Sequence, residues 1–267
     1  MLLHGLTMTR DHVLARTADL ERRGFRVVAY DSRGHGRSAR AADPGGYTYD
    51  LLLEDLVAVM DALDCERAVL VGSSMGAHTA LRLAIDAPER VAGLGVVSPA
   101  YDPSNHPNRP NVEEADELAA AIRERGLDGF LDALRIPPAA SRDSVTLQAA
   151  HALTRRRLED HLDVAAIADA LQANIRAKPF DSFAELGSID VPTVVVGTRD
   201  ELDPRHPLEL ARRYAEALPE SRFACEERGR MPLGWGGRRL THLVSELAER
   251  ADWSAPRLQR RAHGSPA

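Results

Sequence analysis

Short apolar runs alternate with helically spaced apolar residues along the first hundred positions. Residues 68–72 and 91–98 are apolar almost throughout, and residues 25–30 form a shorter run rich in valine. Between these runs, apolar residues recur three and four positions apart over residues 52–63 and 75–87, which is the spacing of one helix face. Strands that are apolar on both faces are typical of a parallel sheet covered by helices on both sides. The pattern therefore predicts an α/β fold with a mostly parallel sheet flanked by helices.

A purely helical pattern replaces this rhythm over residues 101–186, and the strand rhythm resumes at residue 191. We therefore expect residues 1–100 and 187–253 to form one core, with residues 101–186 inserted into it as a helical cap. Residues 254–267 are rich in arginine, proline, serine and glycine, and we expect them to form a disordered tail. The other predicted elements are helices over residues 11–23, 112–125, 141–160, 164–177, 207–218 and 239–250, and strands over residues 191–197 and 222–226.

Composition and charge exclude some classes of binding partner and some cellular settings. The 267 residues carry 34 basic side chains against 40 acidic ones, and the net charge of −6 excludes a general binder of nucleic acid. Cys65 and Cys225 lack the spacing of a disulfide framework, a zinc site or a redox pair, so they predict a reducing, cytoplasmic setting. No apolar stretch approaches the roughly 18 residues of a membrane span, and we expect neither a membrane anchor nor a secretory signal.

One motif carries the sharpest chemical signal. Residues 72–76 read Gly-x-Ser-x-Gly, and they stand between a predicted strand and a predicted helix. In that context Ser74 lies on a sharp turn that exposes its hydroxyl at the carboxyl end of the sheet. The helix that follows offers the N–H of Met75 and a positive dipole end to a developing oxyanion. The alternative is a glycine-serine turn that arose by chance.

Four motifs together carry a family resemblance. The motifs are His4-Gly5-Leu6, Asp31-x-Arg33-Gly34-x-Gly36-x-Ser38, Gly72-x-Ser74-x-Gly76 and Gly197-x-x-Asp200-x-x-x-Pro204. In the order and spacing of these motifs the chain is similar to the α/β-hydrolase superfamily, and the similarity extends over most of its length.

The resemblance implies a role for each motif. It makes Ser74 the nucleophile and Asp200 the acid of a catalytic triad, and it places the backbone N–H groups of Leu6 and Met75 in an oxyanion hole. The insertion at residues 101–186 takes the position of the cap, which shapes the substrate pocket in this family. Considered from the residues alone, Asp200 has an alternative as a loop residue that caps the following helix.

The general base departs from the family pattern. Where the family places its histidine in a Gly-His-x-Pro turn, this chain has Arg230, which stays protonated and cannot take a proton from serine. His206, six residues after Asp200 and near the start of a predicted helix, is the first candidate to replace it. His106, in the loop that enters the cap, is the second. For both, the alternative is a surface or helix-capping histidine.

Four residues complete the expected contacts with substrate. Arg230 can clamp a carboxylate or an enolate beside Ser74, or it can be a solvent-facing replacement for a lost residue. Gly5, Ser73 and His106 are the other residues that we expect at the substrate, since the first two adjoin the oxyanion loop and the elbow. We expect no metal and no cofactor.

The amino terminus is shorter than the family pattern. Only Met1, Leu2 and Leu3 precede His4, whereas in the family a full strand leads into this motif. A strand of only three residues leaves backbone N–H and C=O groups of the neighbouring strands without hydrogen-bond partners. We expect either an upstream segment or a smaller sheet.

These observations favour a serine hydrolase acting on a small, mostly apolar ester, lactone, thioester or related carbonyl compound. Because fold does not fix chemistry, the substrate rests on the resemblance. One alternative is a lyase, decarboxylase or cyclase of the same fold that uses Arg230 and the oxyanion hole. Another is a small-molecule binding protein that has lost catalysis with its histidine. The sequence leaves the oligomeric state open.

Overall fold

A parallel sheet forms the centre of the fold. The computed structural model describes residues 1–14, 18–134, 144–199, 205–225, 237–251 and 253. Within these residues five strands lie side by side in chain order, and every neighbouring pair is parallel. The predicted parallel sheet is therefore confirmed. The strands are β1 (Leu2–Leu3), β2 (Ala68–Ser73), β3 (Val91–Val97), β4 (Thr193–Gly197) and β5 (Ser221–Cys225).

Helices cover both faces of this sheet, so the apolar core has two halves. Leu70 packs on one face with Leu56, whereas its neighbour Val71 packs on the other face with Val244. This alternation is the two-residue period of a strand, and it explains why both faces of β2 are apolar. The described helices are α1 (Asp19–Arg22), α2 (Tyr49–Ala62), α3 (Met75–Asp86), α4 (Arg109–Ala133), α5 (Ser144–Glu159), α6 (Val164–Arg176), α7 (Phe183–Leu186), α8 (Leu208–Ala217) and α9 (Arg238–Arg250).

The prediction of a full strand over residues 25–30 is wrong. Ala29 forms a single parallel bridge with Leu2, and the N–H of Leu2 donates to the carbonyl of Val28 at 2.8 Å. Because β1 spans only two residues, it offers residues 25–28 no ladder to extend. A groove of about 620 Å³ lies at this edge, between residues 25–28 and the start of β2.

The prediction of one helix over residues 11–23 is also wrong. A single 3₁₀ turn, Arg10–His12, is followed by the short helix α1, and Ala18 before it has non-helical backbone angles. Thr9 caps this 3₁₀ turn, because its side chain and its N–H both contact Nδ1 of His12. The cap stabilises the turn without any contribution from α1. Residues 15–17 lie outside the described part of the chain.

The three helices predicted for the cap are present, and the first is longer than expected. Helix α4 continues to Ala133 and is interrupted at Gly126, whose φ is 60°. Helices α4, α5 and α6 share an apolar cluster that includes Ile122, Leu158 and Ile167. The cap therefore has a small core of its own beside the sheet. No described helix, α4 included, combines the length and apolar character needed to cross a membrane.

Two glycines let α3 lie directly against the strands. A Cβ built on Gly76 would lie 2.3 Å from the carbonyl oxygen of Leu3, and one built on Gly72 would lie 2.2 Å from the carbonyl carbon of Gly76. Both distances are far inside van der Waals contact, and the obstacle is backbone in each case. Only glycine at these two positions lets the first turn of α3 pack on β1 and β2.

Buried histidines fix the loop that follows β1. His4 is fully buried, donates from Nδ1 to the carbonyl of Gly5 at 2.8 Å and accepts the N–H of Ser32 at Nε2, at 2.9 Å. His35 is also fully buried, and its Nε2 donates to the carbonyl of Leu6 at 2.6 Å. The two rings lie 4.9 Å apart. The loop is therefore held at two successive carbonyls by side chains from within the core.

A third histidine ties the cap to this cluster. Nδ1 of His161 accepts the N–H of Gly36 at 2.8 Å, and the N–H of Leu162 donates to the carbonyl of Gly36 at 2.9 Å. The ring of His161 packs edge-on against His35 with centroids 5.6 Å apart. The glycine-rich turn after residue 31 thus carries contacts to both core and cap.

Burial keeps these rings neutral near pH 7. Burial lowers the pKa of His161 to about 4, and burial together with the neighbouring His35 holds the pKa of His4 well below its usual range. Burial also lowers the pKa of His35, although the carbonyls of Arg33 and Leu6 at its two nitrogens act in the opposite direction. In the unfolded chain the same rings take up protons near pH 6.5.

Gly76→Ala is expected to lower the free energy of unfolding by more than about 3 kcal/mol, because the added methyl group meets backbone that cannot rotate away. Gly45→Ala is the control: Gly45 is exposed, and its Cβ would contact only the side chain of Asp43, at 3.2 Å. The control is expected to change stability by about 0.5 kcal/mol or less. Urea unfolding of both variants measures the difference, and equal stabilities would contradict the packing argument.

The buried histidines predict a loss of stability in acid. Because the folded-state pKa values are lowered, unfolding takes up protons as pH falls from 6.5 towards 4, so the stability present above pH 6.5 is lost across that range. His161→Asn keeps an acceptor for Gly36 and is expected to reduce this proton uptake by about one. The measurement is the slope of unfolding free energy against pH. The exposed and non-titrating Ser188→Ala should leave the slope unchanged, and an unchanged slope in His161→Asn would contradict the linkage.

Candidate active site

Ser74 occupies the sharp turn between β2 and α3. Its φ of 48° and ψ of −112° lie in a region that residues with a side chain seldom adopt. The turn is held from both sides, because the N–H of Ser74 donates to the carbonyl of Val97 at 2.9 Å and its carbonyl accepts the N–H of His78 at 3.1 Å. The tight packing of the two elbow glycines forces this conformation and directs the hydroxyl to the carboxyl end of the sheet.

His206 lies against this hydroxyl. Its Nε2 is 3.0 Å from Oγ of Ser74, although 132 residues separate the two in sequence. His206 stands between β4 and α8, and its carbonyl accepts a hydrogen bond of 3.4 Å from the hydroxyl of Thr198. The distance is within the range in which a neutral imidazole can take the proton of a serine.

The predicted oxyanion donors lie beside the same hydroxyl. Leu6 and Met75 line one cavity together with Ser74. A Cβ built on Gly5 would lie 3.6 Å from Cβ of Ser74, so the loop after β1 passes next to the elbow. The carbonyls of Gly5 and Leu6 are the two that the buried histidines hold. The peptide N–H of Leu6, which lies between those carbonyls, therefore has a fixed orientation.

The other residues predicted to contact substrate differ in their position relative to the cavity. Ser73 is buried at the end of β2, and neither it nor Gly5 is among the described residues that line the cavity. His106 does line the cavity, but its Nε2 contacts the carbonyl of Arg176 at 3.2 Å. Of the two histidines proposed from the sequence, His206 is the one placed at Ser74. Asp200 and Arg230 lie outside the described residues.

A cavity of about 90 Å³ opens beside Ser74. Its walls come from the elbow and the oxyanion loop on the core side, from residues 100–108 after β3, and from helices α4 and α6 of the cap. The described part of the chain holds no group of three histidine, cysteine or acidic side chains that could bind a metal ion. The groups that the structure places around the hydroxyl of Ser74 include an imidazole and backbone N–H groups.

A buried hydrogen-bond chain connects the elbow to the cap. His78 lies one helical turn after Ser74, and its Nε2 accepts the N–H groups of Ala100 and Tyr101, each at 3.3 Å. Its Nδ1 must therefore carry the proton, and it donates to the hydroxyl of Tyr49 at 3.1 Å. That hydroxyl donates to Oδ1 of Asn174 at 3.3 Å. The chain thus joins α3, α2 and α6 around the floor of the cavity.

His78 is neutral in this chain. Burial, followed by the nearby His206, lowers the pKa of His78 to about 3. From the sequence alone, we expect His78 only to pack or to form hydrogen bonds around the turns. Its position four residues after Ser74, on the same helix face, is a signal that could have found it. Asn174 carried no such signal, because folding alone brings α6 to this site.

A sequence model described as the alpha/beta hydrolase fold matches residues 1–233 of the chain. A protein named as a carbamate hydrolase, RutD, from Variovorax paradoxus (strain S110) is 34% identical over 207 residues, which are 74% of this chain and 71% of that protein. The match thus spans most of both chains.

Two solved structures share the architecture. A thermophilic esterase from Thermogutta terrifontis is 23% identical with a TM-score of 0.72, and the alignment covers 93% of this chain and 88% of that one. The enol-lactonase from Burkholderia xenovorans LB400 is 22% identical with a TM-score of 0.67, at the same coverage of each chain. At these identities the likeness concerns the fold. With its parallel sheet, its nucleophile-elbow geometry and the family match over residues 1–233, the chain belongs to the alpha/beta hydrolase fold family.

Proposed function

We propose that this protein is a serine hydrolase that cleaves small carbonyl substrates of the ester, lactone or carbamate type. The observation that carries the proposal is the 3.0 Å contact between Oγ of Ser74 and Nε2 of His206. An unassisted serine hydroxyl is a poor nucleophile, and an adjacent imidazole is the usual means of activating it. The oxyanion donors at Leu6 and Met75 complete the set of groups that acyl transfer requires.

The proposed reaction has two halves. His206 takes the proton of Ser74 as Oγ bonds to the carbonyl carbon, and the N–H groups of Leu6 and Met75 hold the resulting oxyanion. Collapse breaks the bond to the leaving group, which receives the proton from His206. Water then attacks the acyl-serine, with His206 again taking and returning one proton, and the acid product leaves.

Asp200 is the proposed orienting acid. Its assignment rests on the Gly197-x-x-Asp200 resemblance and on its position six residues before His206 in the same loop. A carboxylate there would stabilise the imidazolium that forms when Ser74 loses its proton. We assign Arg230 no proton transfer, since a guanidinium stays protonated.

The substrate class draws on the relatives. The V. paradoxus protein is named for carbamate hydrolysis, and the solved structures of the same fold are an esterase and an enol-lactonase. All three names share a carbonyl carbon that bears an oxygen substituent, which is the centre that a serine attacks. We also propose a cytoplasmic setting, in keeping with the free thiols of Cys65 and Cys225.

A non-catalytic binding protein and a lyase have less support. A binding protein does not need an imidazole against the elbow serine. The lyase alternative depends on Arg230, which lies outside the described residues.

Ser74→Ala and His206→Asn are each expected to lower kcat/KM for 4-nitrophenyl acetate by at least about a thousandfold, since each removes half of one proton-transfer unit. Ser74→Ala should also abolish labelling by a fluorophosphonate probe. The matched controls are Ser188→Ala and His242→Gln, which alter exposed side chains outside the cavity. Full activity in His206→Asn would contradict its role as base, and loss of activity in both controls would point to misfolding.

Arg230→His tests whether His206 serves as the general base in place of a histidine at position 230. If His206 already serves Ser74, a histidine at position 230 is expected to give no gain in ester hydrolysis beyond about twofold. The measurement is kcat/KM for the same ester before and after substitution. A gain of a hundredfold or more would show that the ordinary base was missing, and it would contradict the role proposed for His206.

A further inference from the structure

The chain contains four asparagines, and all four line the cavity beside Ser74. They come from two parts of the chain: Asn105, Asn108 and Asn111 lie just before α4 and in its first turn, and Asn174 lies near the end of α6. We infer that this cavity is a subsite for a short, uncharged acyl group that both donates and accepts hydrogen bonds, such as a hydroxyacyl or carbamoyl group. The inference rests on the proposed function and specifies its substrate class.

The side-chain amides of the four asparagines differ in their hydrogen bonds. Both polar atoms of Asn174 are engaged, since Oδ1 accepts from Tyr49 and Nδ2 donates to the carbonyl of Tyr47 at 3.2 Å. Asn174 is therefore a fixed part of the wall. Oδ1 of Asn108 accepts the N–H of Asn111 at 3.4 Å, which leaves its Nδ2 for another partner. No hydrogen bond within the described chain engages the side-chain amides of Asn105 and Asn111.

The charge of the lining selects against ions. Of the described lining residues, Asp102 is the one with a carboxylate, and Arg213 binds it at 2.7 Å while the N–H of Ser104 donates to it at 2.9 Å. No described arginine or lysine lines the cavity. An anionic acyl group would lose its hydration there without gaining a cationic partner. Carboxamides compensate a neutral polar group, because each offers one donor pair and one acceptor.

The size of the cavity limits the acyl group to a few atoms. A cavity of about 150 Å³ is enough for benzene, with six heavy atoms. At about 90 Å³ this cavity fits about four heavy atoms by the same proportion. A short acyl group therefore fits this cavity, and the carboxamides in its wall offer a hydroxyalkyl group hydrogen-bond partners that an isosteric alkyl group does not use.

The test compares glycoloyl and propionyl groups, which have the same shape and differ by a hydroxyl in place of a methyl. The kcat/KM of each 4-nitrophenyl ester is divided by its rate of alkaline hydrolysis, which removes the difference in intrinsic reactivity. The wild type is expected to prefer glycoloyl by at least about fivefold, since one unmatched buried polar group is worth that much discrimination. The hexanoyl and hemisuccinyl esters are expected to react at least about tenfold more slowly than propionyl.

Asn111→Leu keeps the size of the side chain and removes its amide. It is expected to abolish the glycoloyl preference, which is measured as the ratio of the two corrected kcat/KM values. Gln172→Leu is the matched control, because it removes an amide from α6 that binds Asp116 and does not line the cavity. An Asn111→Leu variant that retains the preference, or a wild type without one, would overturn the inference.

A binding measurement separates this inference from the proposed function. Glycolamide and propionamide are titrated into Ser74→Ala, which needs no catalysis, and glycolamide is expected to bind at least about fivefold more tightly. Equal binding of the two amides overturns the subsite even if Ser74 proves to be the nucleophile. A preference for glycolamide supports the subsite even if no ester is turned over, and in that case the hydrolase proposal alone fails.

Discussion

The close packing of α3 on β1 and β2 determines the rest of this site. Gly72 and Gly76 allow backbone to approach backbone, and the turn between them must then adopt the strained angles of Ser74. The same contact brings the loop after β1 beside the elbow, where its N–H groups can face a reacting carbonyl. The strain is sustained because hydrogen bonds to Val97 and His78 hold the turn from both sides. A single packing constraint thus positions Ser74 and the loop after β1 together.

Most of the histidines near this packing contact hold neighbouring groups in place by hydrogen bonds. His4, His35, His78 and His161 are buried, and burial lowers the pKa of each. Nδ1 of His4 donates to the carbonyl of Gly5 and its Nε2 accepts the N–H of Ser32, so one neutral ring joins two backbone groups. His78 accepts two backbone N–H groups at Nε2 and donates to the hydroxyl of Tyr49, and His161 accepts the N–H of Gly36. The site consequently combines several structural imidazoles with that of His206, which contacts Ser74.

The cavity changes the picture of the substrate. The resemblance predicts a mostly apolar ester. The described lining adds four carboxamides and a paired carboxylate to its apolar side chains, so it can also take a neutral polar group. Such a lining follows from the cap, since α4 and α6 contribute residues that the sheet alone would not supply.

The sequence by itself determined the parallel sheet, most helix positions and the elbow at Ser74, because these depend on local periodicity and on glycines within a few residues. It failed for residues 25–30, where strand formation depends on how much of a neighbouring strand is available to pair. It also left His206 and His106 as alternatives, since a contact across 132 residues has no local signal. Only the tertiary structure brought the imidazole of His206 to Ser74, and Asn174 of α6 to the cavity that Asn105, Asn108 and Asn111 line. Those contacts depend on how distant elements pack, which no short stretch of sequence specifies.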